Sequence, residues 1–232
     1  MLRGLILILP LLWANALSAV EIIDSTGRTV QIPGQIARIL PAGPPAAVLL
    51  AALAPDLMIR WPSPLSDDAR ALLTAPAGKQ PQIPRLTGRD DVVDKIKALK
   101  PDLILDYGGV TPRYFELAQA TQQRTGVPTV LFNGALDEIP RVLRTLGVVL
   151  HRESRAETLA VFAEALPALP ATANAQPRVV YARGADGLNI AAPGTEATEI
   201  FTQLGWEVLA LLARESFVHQ VLKQSARSTP TC

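Results

Sequence analysis

The chain has 232 residues, 49% of them hydrophobic and 19% charged, with 22 Lys and Arg against 21 Asp and Glu. That length can bury a sizeable core, so small stapled scaffolds are excluded, and the near-neutral charge argues against a nucleic-acid binder, which carries a basic excess. A single cysteine, Cys232, permits neither an intramolecular disulfide nor a multi-cysteine metal site.

Met1 to Ala19 reads as a secretory signal: one positive charge at Arg3, an apolar run from Leu5 to Trp13 broken by Pro10, then the small residues Ala14, Ala16, Ser18 and Ala19. The alternative, a membrane anchor, needs about 20 apolar residues and this run is about half that. No cysteine follows it to carry a lipid. Loss of Arg3 leaves 21 charges of each sign, so the sequence predicts a soluble, formally neutral exported protein beginning at Val20, in an oxidising compartment. The mean hydropathy of +0.23 comes partly from this leader and otherwise from dispersed Ala and Leu.

Next comes a hairpin pattern, Val20 to Ile23 and Thr29 to Ile32, joined through Asp24 to Arg28 with Gly27 free to take a positive φ. The rhythm then changes to alternating strand and helix. Short apolar strands are predicted at Arg38 to Leu40, Leu57 to Ile59, Leu103 to Leu105, Thr129 to Phe132 and Val179 to Ala182. Helical segments fall at Pro45 to Leu53, Ser66 to Leu73, Val92 to Leu99, Thr111 to Thr125 and Asp137 to Leu150. Asp137 is placed as an N-cap with Pro140 in the first turn, and Pro101 ends the helix before it. The alternation predicts an α/β fold with largely parallel sheets covered on both faces. Its parts are a leader at 1–19, a first lobe at 20–150, a connecting helix within 151–170, the start of a second lobe at 178–210, and a tail at 211–232 without strand–helix rhythm. Between the connecting helix and the second lobe, Pro167 to Pro177 reads as an Ala/Pro/Thr/Asn-rich linker.

In open parallel sheets ligands bind beyond the carboxyl ends of the strands. The residues there are Pro41 to Pro44, Arg60 and Trp61, Asp106 to Gly109, Asn133, and Arg183, Gly184 and Asp186. Each carries two readings. Trp61 either covers a sheet edge or contacts a ligand. Tyr107, followed by Gly108 and Gly109, offers an aromatic face beside backbone that tolerates close approach. Arg183 either pairs with Asp186 or meets an anionic ligand, Asp106 either caps a turn or contacts the ligand, and Arg60 reads as a solvated charge. Catalytic signatures are missing: no G-x-S-x-G elbow, P-loop or H-E-x-x-H, and neither His151 nor His219 has a second His or Cys at ligand spacing. Paired acids at Asp67-Asp68 and Asp90-Asp91 sit where helices start and suit the helix dipole. No catalytic residue, metal ligand or resident cofactor is assigned.

Five groups of segments belong together: Ile23 to Pro33 with Ile36 to Ile39, Leu99 to Leu105, Thr125 to Val130, Leu146-Gly147 with Arg152 to Glu157, and Val180 to Gly184 with Ala192 to Thr195 and Leu204-Gly205. In this order they resemble the periplasmic substrate-binding proteins of iron-siderophore, haem and vitamin B12 ABC importers. The resemblance implies two α/β lobes joined by one rigid helix, here Arg152 to Leu166, and a ligand held between them. It implies a permease and an ATPase as partners and a monomeric receptor. The resemblance implies a ferric siderophore or related metal chelate as the ligand, with haem, cobalamin or molybdate as alternatives, and the strand-end residues Pro44, Trp61, Tyr107 and Arg183 are its expected contacts. The chain departs from the family after Val208, and the sequence predicts an incomplete second lobe produced by a change of reading frame. Codons permitted for Leu222 to Cys232, read two bases on, can spell Glu-Ala-Ile-Arg-Ala-Leu-Asp-Pro-Asp-Val, which resembles the missing segment. Two rival expectations are an exported α/β hydrolase and a non-functional fragment.

Overall fold

The computed structural model describes residues 19–73, 78, 80–81, 90–165, 177–183, 189–191 and 195–209. The expected leader, apart from Ala19, the linker apart from Pro177, and the tail at 211–232 lie outside the described residues. No described helix is long and apolar enough to cross a membrane.

Strands β1 (Ala19–Ile23) and β2 (Thr29–Pro33) form an antiparallel hairpin, with Gly27 at φ +80° in its turn, as the sequence predicts. The turn does more than reverse the chain. Asp24 is buried, and its carboxylate accepts hydrogen bonds from the Thr26 amide and hydroxyl and from the Arg28 amide and guanidinium, at 2.5 to 3.2 Å. Burial alone would raise the Asp24 pKa; the hydrogen bonds from Thr26 and Arg28 and the Arg28 charge outweigh it and hold the carboxyl below its ordinary range.

Strands β3 (Ile39–Pro41), β4 (Leu103–Gly108) and β5 (Thr129–Asn133) make a parallel sheet in the order β3-β4-β5, with Leu105 opposite both Pro41 and Val130. The segment expected as a strand at Leu57 to Ile59 contributes one parallel bridge, Ile39 to Met58. The hairpin turn seals the far edge of β5. The Ser25 amide donates to Leu131 O at 2.9 Å, the Leu131 amide donates to the Asp24 carboxylate, and Arg28 donates to Thr129 O at 3.0 Å while standing over the Phe115 ring. Ladder groups on a sheet edge that would invite another strand are thereby satisfied within the chain.

Helices cover both faces. α1 (Pro44–Leu53) and α5 (Ile139–Val149) pack on the face formed by Ile39, Leu103, Leu105, Val130 and Phe132; Trp61 belongs to the same core. On the other face Leu40 and Ile104 meet Val92 and Ile96 of α3 (Asp90–Leu99). α2 (Asp67–Leu72) is capped by Ser66, whose Oγ accepts from the Ala69 amide, with Asp67 and Asp68 in its first turn as expected. α4 (Pro112–Thr125) runs from a Thr111 cap to Gly126 at φ +73°. The Leu99 to Leu105 motif has a structural reason: Lys100 takes φ +47° before Pro101, and Asp102 accepts the Ala37 and Arg38 amides, both at 2.8 Å, aligning the entry to β3.

One capping expectation is overturned. Asp137 lies inside a short 3-10 turn, Leu136–Glu138, and α5 begins from Glu138 without a side-chain cap. Pro140 does occupy the first turn. α5 reverses at His151 (φ +54°) into α6 (Glu153–Ala165), the described part of the expected connecting helix. The pair packs through Gly147, where a Cβ would overlap that of Ala156, and is clasped by Arg144 with Glu157 and Glu164. Arg152 and Arg155 tie α6 back to Asp56 and to the Ala52 carbonyl.

In the second region, strand β6 (Arg178–Val179) pairs in parallel with β9 (Glu207–Val208), and β7 (Ala182–Arg183) pairs antiparallel with β8 (Asn189–Ile190). The continuous strand predicted at Val179 to Ala182 is therefore two short ones. α7 (Glu196–Gln203) follows a Thr195/Thr198 capping box and packs Phe201 between Tyr181 and Trp206. Glu199 of α7 accepts a hydrogen bond from the Leu136 amide at 2.8 Å, linking this region to the first lobe.

Candidate functional site

Two consecutive parallel strands leave their carboxyl ends on one edge of the sheet, so the segments after β3 and β4 must meet there. They enclose a cavity of about 220 Å3 between α4 and the sheet face. Its floor is Ile104 and Leu131, alternate residues on the α3/α4 side of the pleat; its roof is Leu117 and Ala118 of α4. Gly43, Pro45, Gly108 and Gly109 frame the mouth at the strand ends.

Five described side chains bring polar groups to the lining: Asp106, Tyr107, Tyr114, Thr121 and Thr129. Asp106 lines the cavity and accepts a hydrogen bond from the Tyr107 amide at 3.0 Å. Thr129 is buried and its hydroxyl donates to Val127 O. Tyr107 lies near the mouth, and Tyr114 and Thr121 stand on α4 above the floor. Among the described residues no Lys, Arg or His lines the cavity.

The positive φ of Gly108 (+144°) has a physical cause next to the site. Gly134 donates to Gly108 O at 2.9 Å, and a Cβ on Gly134 would stand 2.9 Å from the Gly108 Cα. The loops after β4 and β5 thus touch backbone to backbone. The close approach that the Gly108-Gly109 pair was expected to permit is made, here to another loop of the same chain.

The structure places the four sequence-predicted contacts differently. Tyr107 is half-buried and lines the cavity. Pro44 is exposed at the N-terminus of α1, between the two mouth residues Gly43 and Pro45. Trp61 is 4% exposed, sits in the core of the opposite sheet face, and does not line the cavity. Arg183 ends β7, opposite Asn189 in backbone register, and its side chain lies outside the described residues, as do Gly184 and Asp186. Tyr114 and Thr121 were missed by a search confined to strand ends. The signal was the stripe Tyr114, Leu117, Ala118, Thr121, spaced i, i+3, i+4, i+7, which marks one helix face.

The N-terminus of α1 points to the same edge but is poorly suited to an anion. Pro44 and Pro45 occupy its first positions and carry no N–H, so two of the donors a helix start normally presents are missing. His151 stands away at the α5–α6 turn, in a separate surface hollow. Among the described residues no three His, Cys, Asp or Glu side chains come together in a way that could hold a metal ion.

No protein-family profile and no curated protein matches the sequence. Solved structures do. An ABC-transporter solute-binding protein from Sulfurospirillum deleyianum superposes with a TM-score of 0.70 at 22% identity, over 88% of this chain and 68% of that one. A periplasmic solute-binding protein from Veillonella parvula gives 0.57 at 20% identity, over 86% of this chain and 62% of its own length. BauB, a siderophore-binding protein solved with two molecules of acinetobactin and ferric iron, gives 0.60 at 18% identity, over 89% of this chain and 73% of that one. The fold is therefore that of the solute-binding proteins of ABC transporters, as the sequence resemblance implies, and these neighbours are binding proteins rather than enzymes.

Proposed function

We propose that the chain is a periplasmic solute-binding component of an ABC importer, which captures a ferric siderophore or related metal chelate and hands it to a permease driven by an ATPase. The observation that carries this reading is the position of the cavity: it opens at the carboxyl edge of a parallel sheet, in a fold shared with solute-binding proteins. Pro44 and Tyr107 supply apolar and aromatic contact area at the mouth, and Arg183 offsets negative charge from the second region. Trp61, held in the core, supports the loop it belongs to. The metal arrives wrapped in its chelator. Two prolines at the start of α1, which remove two helix N–H donors, favour an organic chelate over an oxyanion such as molybdate.

Titration of the purified full chain with ferric siderophores, haem, cobalamin and molybdate, followed by tryptophan fluorescence, tests the reading. Saturable quenching by an iron chelate, weakened about tenfold by Tyr107→Ala, is expected. Absence of a saturable response to all four overturns it. Saturation by molybdate alone replaces the chelate with an oxyanion, and ester or phosphate turnover that survives Tyr107→Ala and Arg183→Ala replaces the receptor with a hydrolase.

A further inference from the structure

The cap that the sequence expectation put at Asp137 has a remote replacement. The 3-10 turn Leu136–Glu138 runs on into α5, so the first amides of this segment have no carbonyl one turn earlier to bond. Ala135 precedes the turn and offers no side-chain acceptor, and Asp137 lies inside it. Three consecutive amides lead into the turn, and each has its own acceptor. Gly134 donates to Gly108 O at 2.9 Å, Ala135 to the Asn133 side-chain oxygen at 3.1 Å, and Leu136 to a carboxylate oxygen of Glu199 at 2.8 Å. The first two acceptors stand at the ends of β4 and β5 in the first lobe. The third comes from α7, 63 positions along the chain, and α7 packs against the turn. A carboxylate at the N-terminal end of a helical segment also gains from its dipole.

We propose that Glu199 caps this segment from the second region, and that the bond is a clasp holding α7 against the loop after β5. Its place gives it reach: Leu136 lies two residues beyond Gly134, whose backbone touches Gly108 at the mouth of the cavity. In the receptor reading, where a ligand meets Tyr107 on the first lobe and Arg183 on the second region, the clasp sets the spacing of those contacts, and Glu199 is a positioning residue. That consequence rests on the receptor reading; the clasp itself is tested without ligand.

Amide hydrogen exchange on the full chain tests it, with each end of the bond altered in turn. Glu199→Ala removes the acceptor. Leu136→Pro removes the donor at a helix start where proline fits, since Ala135 already has φ −58° and ψ 142°, the extended geometry required before proline. Leu136→Ala keeps the N–H and controls for the lost side chain. Losing one hydrogen bond to a charged group is expected to speed exchange in residues 195–209 about tenfold in Glu199→Ala, and in Leu136→Pro relative to Leu136→Ala, while the β3-β4-β5 amides stay protected. Glu199→Gln keeps an acceptor oxygen and is expected to retain most of the protection. The double variant Glu199→Ala/Leu136→Pro is expected to exchange no faster than Leu136→Pro alone, because both changes remove the same bond. Additive effects in the double variant, or unchanged exchange at 195–209 in Glu199→Ala, overturn the clasp. Acceleration confined to Leu136 and its neighbours makes Glu199 a local cap and overturns it as well, as does a Glu199→Ala chain that fails to fold while Leu136→Pro keeps residues 195–209 protected. A clasp that passes these tests in a chain with no saturable ligand response stands while the receptor function falls; a ligand response in a chain without the clasp does the reverse.

Discussion

The first lobe and the second region use the same kinds of element and are held together differently. In the first lobe, strands of three to six residues lie side by side, and Ile39, Leu40, Leu103, Ile104, Leu105 and Phe132 are wholly buried between helix layers. In the second, the described strands have two residues each and form two separate pairs. Its described core is Ala191, Thr198 and the ring cluster Tyr181, Phe201, Trp206, where the buried Trp206 indole N–H has no acceptor among the described residues. A parallel strand needs apolar cover on both faces. The first lobe supplies it from α1 and α5 on one side and α3 and α4 on the other, whereas among the described residues of the second the cover is the ring cluster on the α7 side.

That contrast can be broken or sharpened by substitution. The largest effect is expected from Phe132→Ala, which empties the centre of the first-lobe core and should lower global stability by about 4 kcal/mol in urea unfolding. Asp24→Asn comes next, at about 3 kcal/mol, because it strips the charge from a buried pair that also anchors the hairpin to β5. Its pH signature is specific. The folded carboxyl titrates below its unfolded value, so its stabilisation is complete above the ordinary carboxylate range and disappears as pH falls through the depressed value. The variant should therefore show a flatter stability profile between neutral and strongly acidic pH.

Gly147→Ala should cost about 2 kcal/mol by forcing α5 and α6 apart at Ala156, and a shift in the α5–α6 amide exchange rates checks it. Phe201→Ala, in a half-buried ring cluster, should cost about 1 kcal/mol. It should also speed amide exchange in residues 195–209 while the β3-β4-β5 amides stay protected; equal acceleration in both regions would mean the two unfold as one unit.

Much of the first lobe was legible because its signals are local. Thr111-Pro112 and Gly126 delimit α4, Gly27 marks the hairpin, and the apolar runs at Leu103 to Leu105 and Thr129 to Phe132 have the length and composition of buried strands. Where the expectation slipped, a contact distant in sequence or a local competitor decided. Asp137 has the chemistry of an N-cap, but the 3-10 turn started at Leu136 and moved the helix start past it. Leu57 to Ile59 has strand composition, yet only Met58 comes into register with Ile39. For the site, strand-end reasoning found Asp106, Tyr107 and the glycines. It could not separate Trp61 from them, because an aromatic after a strand reads alike whether it turns into the core or toward a ligand.

By itself the sequence determined the α/β class, the order and approximate limits of the elements, and the edge of the sheet on which the cavity opens, since these follow from hydrophobic period, caps and breakers within a few residues. Only the tertiary structure decided that Asp24 reaches Leu131, that Trp61 is core, and that one face of α4 stands off the sheet to leave a cavity lined by Tyr114 and Thr121. The reason is geometric. Those outcomes depend on how far two packed surfaces separate, and the side chains that set that separation come from segments up to 107 positions apart.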